Sequence, residues 1–230
     1  MPRYSKKFEE KYRKLVDTVE GFDSLAWYKS RHVPKIIKNK KRYKAIADRL
    51  GIPLCIVPLI ESKEMGSSVG KFDRYIGNGQ KLTQKTTIVP KNRGPFNTWE
   101  EGVIDALITL KGYDKITEWT LERMLFEMER YNGFGYMNRG KESAYLWAKT
   151  LPHGRNTGKF VADGVYDPNA IPKNIGVYAL YTLLVQADPD FKVDAKTPIK
   201  EEEPKETLSE LIKELIIAVI DLLKGNKTKG

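Results

Sequence analysis

The chain has 230 residues, with 40 Lys and Arg against 30 Asp and Glu and a formal charge of +10. Hydrophobic residues make up 40% and charged residues 30%, which excludes a disordered chain and predicts one folded domain with at most a short appendage. The single cysteine excludes an intramolecular disulfide. Residues 1–14 lack the apolar core of a signal peptide and no apolar run reaches the roughly 18 residues of a membrane span, so cytoplasmic synthesis is expected.

Phe8, Tyr12, Leu15, Val16 and Val19 recur at three- and four-residue spacings and predict an amphipathic first helix over residues 5–20. Asp23 or Ser24 can cap a second helix that runs toward His32 and stops before Pro34. Lys38 to Leu50 reads as a third, basic helix closed by Gly51 in the left-handed region. Residues 1–50 carry 15 Lys and Arg against 6 Asp and Glu. Such a basic segment attracts polyanions, whether nucleic acid, anionic lipid or acidic envelope polymers, or serves only as a solvated face.

Pro53 opens a helix whose Leu54, Cys55, Ile56, Val57, Leu59 and Ile60 are apolar nearly all round. It is therefore a core helix, with Cys55 as a buried inert thiol. The spacing ends it at Glu61-Ser62. A carboxyl there is either a buried acid retained for chemistry or a solvent-facing residue in a frayed last turn. Met65 to Gly70 reads as a loop, and Asn78-Gly79 between Tyr75-Ile76-Gly77 and Gln80-Lys81-Leu82-Thr83 predicts a small β-hairpin that forms one wall of a cleft. Lys85 to Phe96 is an irregular connection.

Thr98 and Glu101 form a capping-box pattern before a helix carrying Trp99, Val103, Ile104, Ala106, Leu107 and Leu110 and ending at Gly112. Another helix is expected from Thr117 to about Arg130, broken by Tyr131-Asn132-Gly133-Phe134-Gly135-Tyr136. Ser143 to Trp147 is a further apolar stretch, and residues 158–166 are too glycine-rich for a long helix. A last core helix carries Ile175, Val177, Leu180, Leu183 and Leu184. The body is expected to span 1–187, followed by a linker over 188–206 and an amphipathic helix over 207–224 that is too short to cross a membrane. That helix docks on the body, self-associates or lies on a membrane surface.

Two distant histidines, His32 and His153, and one cysteine form no metal-ligand pattern, and no phosphate-binding glycine loop is present. No metal or cofactor is expected, and carboxylate chemistry remains. Glycoside cleavage needs an acid whose pKa is raised by apolar surroundings and a second group that positions water or steadies the sugar cation. Glu61 fits the first role, and Glu64 and Asp73 are candidates for the second. A rival pairing of Glu64 with Asp73 stays open.

Gly51-Ile52-Pro53 leading to Ile60-Glu61-Ser62, Tyr75-Ile76-Gly77-Asn78-Gly79-Gln80, Lys85-Thr86-Thr87-Ile88-Val89-Pro90 and Arg93-Gly94-Pro95-Phe96 occur in that order. Trp99, Asp105-Ala106-Leu107, Tyr131-Asn132-Gly133-Phe134-Gly135-Tyr136, Ser143-Ala144-Tyr145-Leu146-Trp147 and Gly158-Lys159-Phe160-Val161-Ala162-Asp163-Gly164 follow. Together they resemble the phage and prophage lysozyme-like endolysins of the goose-type lysozyme and lytic transglycosylase superfamily, over about residues 50–185. The resemblance implies a mainly α, lysozyme-like α+β fold with a small β-hairpin beside the active-site cleft. It makes Glu61 the general acid, with Ser62, Asn78, Gln80, Thr86, Thr87, Tyr131, Asn132, Tyr145 and Trp147 around the glycan. Two features depart from the family: the stretch from Ser62 to Phe72 is longer, and Pro58-Leu59-Ile60 stands where a histidine often precedes the acid.

The activity so implied is cleavage of the bond between N-acetylmuramic acid and N-acetylglucosamine in bacterial peptidoglycan. The product would be either a reducing end or a 1,6-anhydro sugar. The enzyme would be made in the host cytoplasm and would act on the wall after release. Its basic first 50 residues and its C-terminal helix would meet anionic envelope polymers or a membrane surface, and no nucleic-acid partner is expected. The alternatives are a chitinase- or chitosanase-like glycan hydrolase, and a non-catalytic wall-binding or virion structural protein.

Overall fold

The structure, a computed structural model, describes residues 2–22, 25–150, 158–162 and 164–193. The expected cap at Asp23 or Ser24, His153, Asp163 and the helix over 207–224 lie outside those residues. In chain order the helices are α1 (Lys6–Asp17), α2 (Leu25–Arg31), α3 (Val33–Lys38), α4 (Lys40–Leu50), α5 (Ile56–Met65), α6 (Trp99–Ile104), α7 (Leu121–Asn132), α8 (Ala144–Trp147) and α9 (Val177–Ala187). Strands β1 (Lys159–Ala162) and β2 (Val165–Asp167) pair antiparallel between α8 and α9. The protein is thus mainly helical with one small two-stranded sheet among the described residues. No helix among them is long and apolar enough to cross a membrane.

The core forms around α5 and α9, the two helices that are apolar on most of their circumference. Ile56, Val57, Leu59 and Ile60 of α5 and Ala179, Leu180 and Leu184 of α9 are fully buried, and each such large side chain contributes about 1.5–3 kcal/mol on leaving water. The Cys55 thiol is buried too, 3.5 Å from the Met124 sulfur. α1 packs its apolar face on α7, with the Phe8 and Tyr4 rings 5.0 and 5.3 Å from Phe126. Beneath them the Tyr12 hydroxyl donates to Glu129. On α7 the buried Glu127 carboxylate lies 2.8 Å from Arg123 Nε and accepts from Arg130 Nε at 2.5 Å, so the charge is neutralised where water cannot reach it.

Several local expectations change. α2 stops before Pro34 as expected, at Arg31, but a separate helix, α3, takes Pro34 in its first turn, where its missing N–H leaves no gap. Gly51 closes α4 in the left-handed region as expected. α5 begins at Ile56 and runs one turn past Glu61-Ser62, to Met65, before Gly66 ends it. Thr98 caps α6 by accepting from Glu101 N at 3.1 Å, but the helix widens into a π-turn over Asp105–Thr109 instead of continuing as a regular helix. Thr120, not Thr117, caps α7, which extends to Asn132.

The stretch 75–83 forms a tight loop held by a single bridge between Arg74 and Lys81 and by Tyr75 N–H donating to Gln80 O at 2.8 Å. The regular strand pair is the later one, registered Lys159 to Asp167 and Phe160 to Tyr166, with an irregularity before Ala162 meets Val165. Residues 188–193, expected to open a linker, pack on the body. Phe191 is fully buried, Lys40 bridges Asp188 and Asp190 at 2.6 Å, and Val193 N–H donates to the Tyr181 hydroxyl at 3.1 Å.

Candidate active site

The extra turn of α5 decides which acid faces solvent. Glu61 points into the protein and is 1% exposed. Its Oε2 accepts from the Tyr43 hydroxyl of α4, and from Gly70 N–H at 3.4 Å. Next to Tyr43 in the chain, Arg42 lies 4.2 Å from the Phe72 ring centre and 5.4 Å from that of Trp99. Burial pushes the Glu61 pKa up to about 7 against the opposing pull of Tyr43, Gly70 N–H and Arg42. Asp73, exposed on the following loop, adds a small upward push on Glu61.

Glu64, in the last turn of α5, instead lines an open cleft of about 860 Å³. One wall is Gly77 with the loop Thr87 to Lys91. The other is Ala106, Leu110 and Lys111 on and just past the π-turn, and Tyr131 and Asn132 at the end of α7 close one side. The wide turn sets Ala106 and Leu110 on the cleft face, and such turns recur at functional sites. Lys111 donates to the Tyr131 and Arg130 carbonyls at 3.0 and 3.3 Å, where a cation complements the C-terminal end of a helix, and so ties the two walls together.

The loop that forms one wall of the cleft is also fixed. Gly79, at φ +77, passes so close to the end of α5 that a Cβ would lie 3.4 Å from Glu64 O. Tyr131 donates to Ile76 O at 2.8 Å. Asp105 accepts from the Tyr75 hydroxyl at 2.7 Å and from Arg93 through both carboxylate oxygens, which anchors the loop to the start of the π-turn.

Around Glu64 itself, the Tyr145 hydroxyl donates to Oε1 at 3.3 Å. Burial raises the Glu64 pKa to about 7, with Lys63, Tyr145 and Lys111 pulling the other way. Burial and the Glu64 charge hold the Tyr131 and Tyr145 phenols well above their usual range, so both remain donors at neutral pH. Glu64 is the one carboxylate in the cleft wall among the described residues. At pH near neutrality it exists in comparable protonated and ionised fractions, so it can both give and take a proton there.

No family profile, characterised protein or solved structure matches the chain.

Of the residues expected at the site, Glu64, Thr87, Tyr131 and Asn132 line the cleft and Tyr145 touches its acid. The others stand elsewhere. Glu61 faces the core, and Ser62 beside it is 2% exposed. Asn78 donates to Ile88 O at 3.1 Å, and Gln80 accepts from Thr87 N and Ile88 N at 2.8 and 3.2 Å, so both brace the cleft loop instead of facing a ligand. Thr86, 2% exposed, takes Arg93 N–H at 3.0 Å on its hydroxyl. Trp147 is fully buried, 5.4 Å from the Tyr178 ring. Lys63 and Lys111 went unread in the sequence, because a lysine beside an acid or before a glycine carries no mark of a cleft, and Ala106 and Leu110 were read only as apolar helix positions. The Glu61 and Glu64 spacing of three residues was the one available signal.

Proposed function

We propose that the protein cleaves the glycan strands of bacterial peptidoglycan with Glu64, not Glu61, as its general acid. The observation that carries this reading is a partly buried carboxyl, with a pKa near 7, in the wall of an open cleft, with a phenol donating to it. The order of motifs resembling lysozyme-like endolysins supports the substrate class. Glu64 Oε–H protonates the glycosidic oxygen as the C1–O bond breaks, and the departing sugar leaves as an alcohol. The ionised Glu64 then takes a proton from the nucleophile that attacks C1: a water, giving a reducing end, or the same sugar's C6 hydroxyl, giving a 1,6-anhydro product. The absence of a second carboxylate from the described cleft wall favours a route in which one acid serves both steps.

The test is turbidity loss of purified peptidoglycan with the intact protein, Glu64→Gln and Glu61→Gln, with mass spectrometry of the released fragments. Clearing by the intact protein and by Glu61→Gln but not by Glu64→Gln is expected, and the fragment ends name the nucleophile. Clearing by Glu64→Gln with none by Glu61→Gln returns the acid to Glu61. Wall binding without clearing by the intact protein replaces the enzyme with a wall-binding or virion role, and turnover of soluble chitosan alone replaces the substrate.

A further inference from the structure

A second hollow adjoins the Glu64 cleft. Asn132 lines both, and Tyr145, whose hydroxyl reaches Glu64, forms part of the wall of the second. This second hollow holds about 340 Å³ and is bordered by Lys63 on α5, Lys159 on β1, and Lys173 with Asn174 ahead of α9. Three lysines from three separate segments therefore line it, and no carboxylate does so among the described residues.

None of the three is ion-paired among the described residues. Lys63 donates one hydrogen to Ile175 O at 2.8 Å and lies 5.0 Å from the Tyr145 ring centre, which fixes the ammonium and leaves it further donors. Burial lowers its pKa to about 8, so it stays charged at neutral pH. Lys63 already feels the Glu64 charge, and an anion entering the open hollow would relieve the mutual repulsion of the three lysines.

We propose that this hollow is a carboxylate-binding subsite that takes an acidic substituent of the polymer whose bond lies at Glu64. The inference rests on the glycan-cleaving reading and makes the substrate class specific: a strand whose sugars carry carboxylates, against a neutral polymer. On a peptidoglycan strand the carboxylate belongs to the stem peptide, or to the lactyl ether where the stem is absent and its carboxyl is free.

The test measures binding of fluorescently labelled soluble strands to Glu64→Gln protein with and without Lys159→Gln and Lys173→Gln, which remove two charges and keep a polar side chain. Amines on the strands are acetylated first. Stem-bearing strands should bind about 10-fold more weakly to the lysine-substituted protein, the scale of a lost pair of charge-assisted hydrogen bonds. Strands with amidated carboxylates should bind both proteins equally. Strands trimmed to the lactyl group, whose carboxyl the trimming frees, assign the position: a retained difference shows that the hollow takes a carboxylate at the lactyl ether, and its disappearance places the recognised carboxylate farther out on the stem. Equal weakening on amidated strands, or no weakening on any strand, overturns the subsite. Failure of the glycan-cleaving reading shows separately, as no turnover of any strand by the unsubstituted protein.

Discussion

Glu61 and Glu64 stand three residues apart on α5 but face opposite environments: Glu61 accepts the Tyr43 hydroxyl inside the core, and Glu64 meets the Tyr145 hydroxyl at 3.3 Å at the edge of an open cleft. Both carboxyls are held near pKa 7, and both shifts arise first from burial. Equal acidity therefore does not distinguish them. Access does, because only a carboxyl that a ligand can reach can transfer a proton to it.

The rate should follow the protonated fraction of Glu64. Cleavage measured as kcat/KM is expected to hold below about pH 7 and to fall about tenfold per unit above it. Tyr145→Phe removes a donor that favours the ionised form, so the fall should move to higher pH. A fall centred near 4.5, or a profile unmoved in Tyr145→Phe, contradicts the assignment.

Stability should carry the mark of Glu61. Its folded pKa lies above the ordinary 4.5, so the native state binds the proton more tightly and the contribution is complete below 4.5, then lost as pH rises to about 7 and beyond. The loss is of order 3 kcal/mol for a shift of this size. Urea unfolding at pH 5 and pH 8 should show that decline in the intact protein and a smaller one in Glu61→Gln, which keeps an acceptor for Tyr43. An equal decline in both proteins places the titrating group elsewhere.

Gln80 holds the cleft loop through its contacts with Thr87 and Ile88. Gln80→Ala removes three hydrogen bonds, a net loss of about 1–3 kcal/mol from a partly exposed site. The expected result is a several-fold rise in KM on soluble strands with kcat changed less, together with faster amide exchange over residues 86–91. An unchanged exchange rate removes Gln80 from this role.

Glu127→Ala leaves Arg123 and Arg130 without their shared carboxylate on the buried side of α7. Loss of one partner of a buried ion pair costs about 3–5 kcal/mol, and equilibrium unfolding should register it. A change below about 1 kcal/mol means the arginines reach water and the ion pair contributes little.

Wall association should weaken with salt. Residues 1–50 hold most of the excess positive charge, and α1 and α4 turn many of those lysines to solvent. Cosedimentation with purified walls is expected to fall steadily as salt rises toward ~0.5 M, where screening reaches only a few ångströms. Binding indifferent to salt assigns attachment to apolar or hydrogen-bonding contacts instead.

The sequence by itself determined the elements whose signals are local. The apolar periodicity of α1, the all-round apolar run of α5 and the last core helix α9 follow from the hydrophobic effect acting on nearest neighbours along a helix. Gly51 and Thr98 act as caps because capping involves only three or four adjacent residues. It also brought Glu61 and Glu64 forward together. Only the tertiary structure gives them different surroundings, because the direction of a side chain depends on what packs opposite. Tyr43, eighteen residues earlier, draws Glu61 inward, and Tyr145, far later in the chain, meets Glu64 at the cleft. The same holds for Asn78 and Gln80, read as ligand contacts and found bracing the loop beside them, and for Trp147, read as a stacking platform and found in the core. The widening of α6 into a π-turn and the meeting of Lys63, Lys159 and Lys173 likewise depend on contacts between segments distant in sequence, which no local pattern encodes.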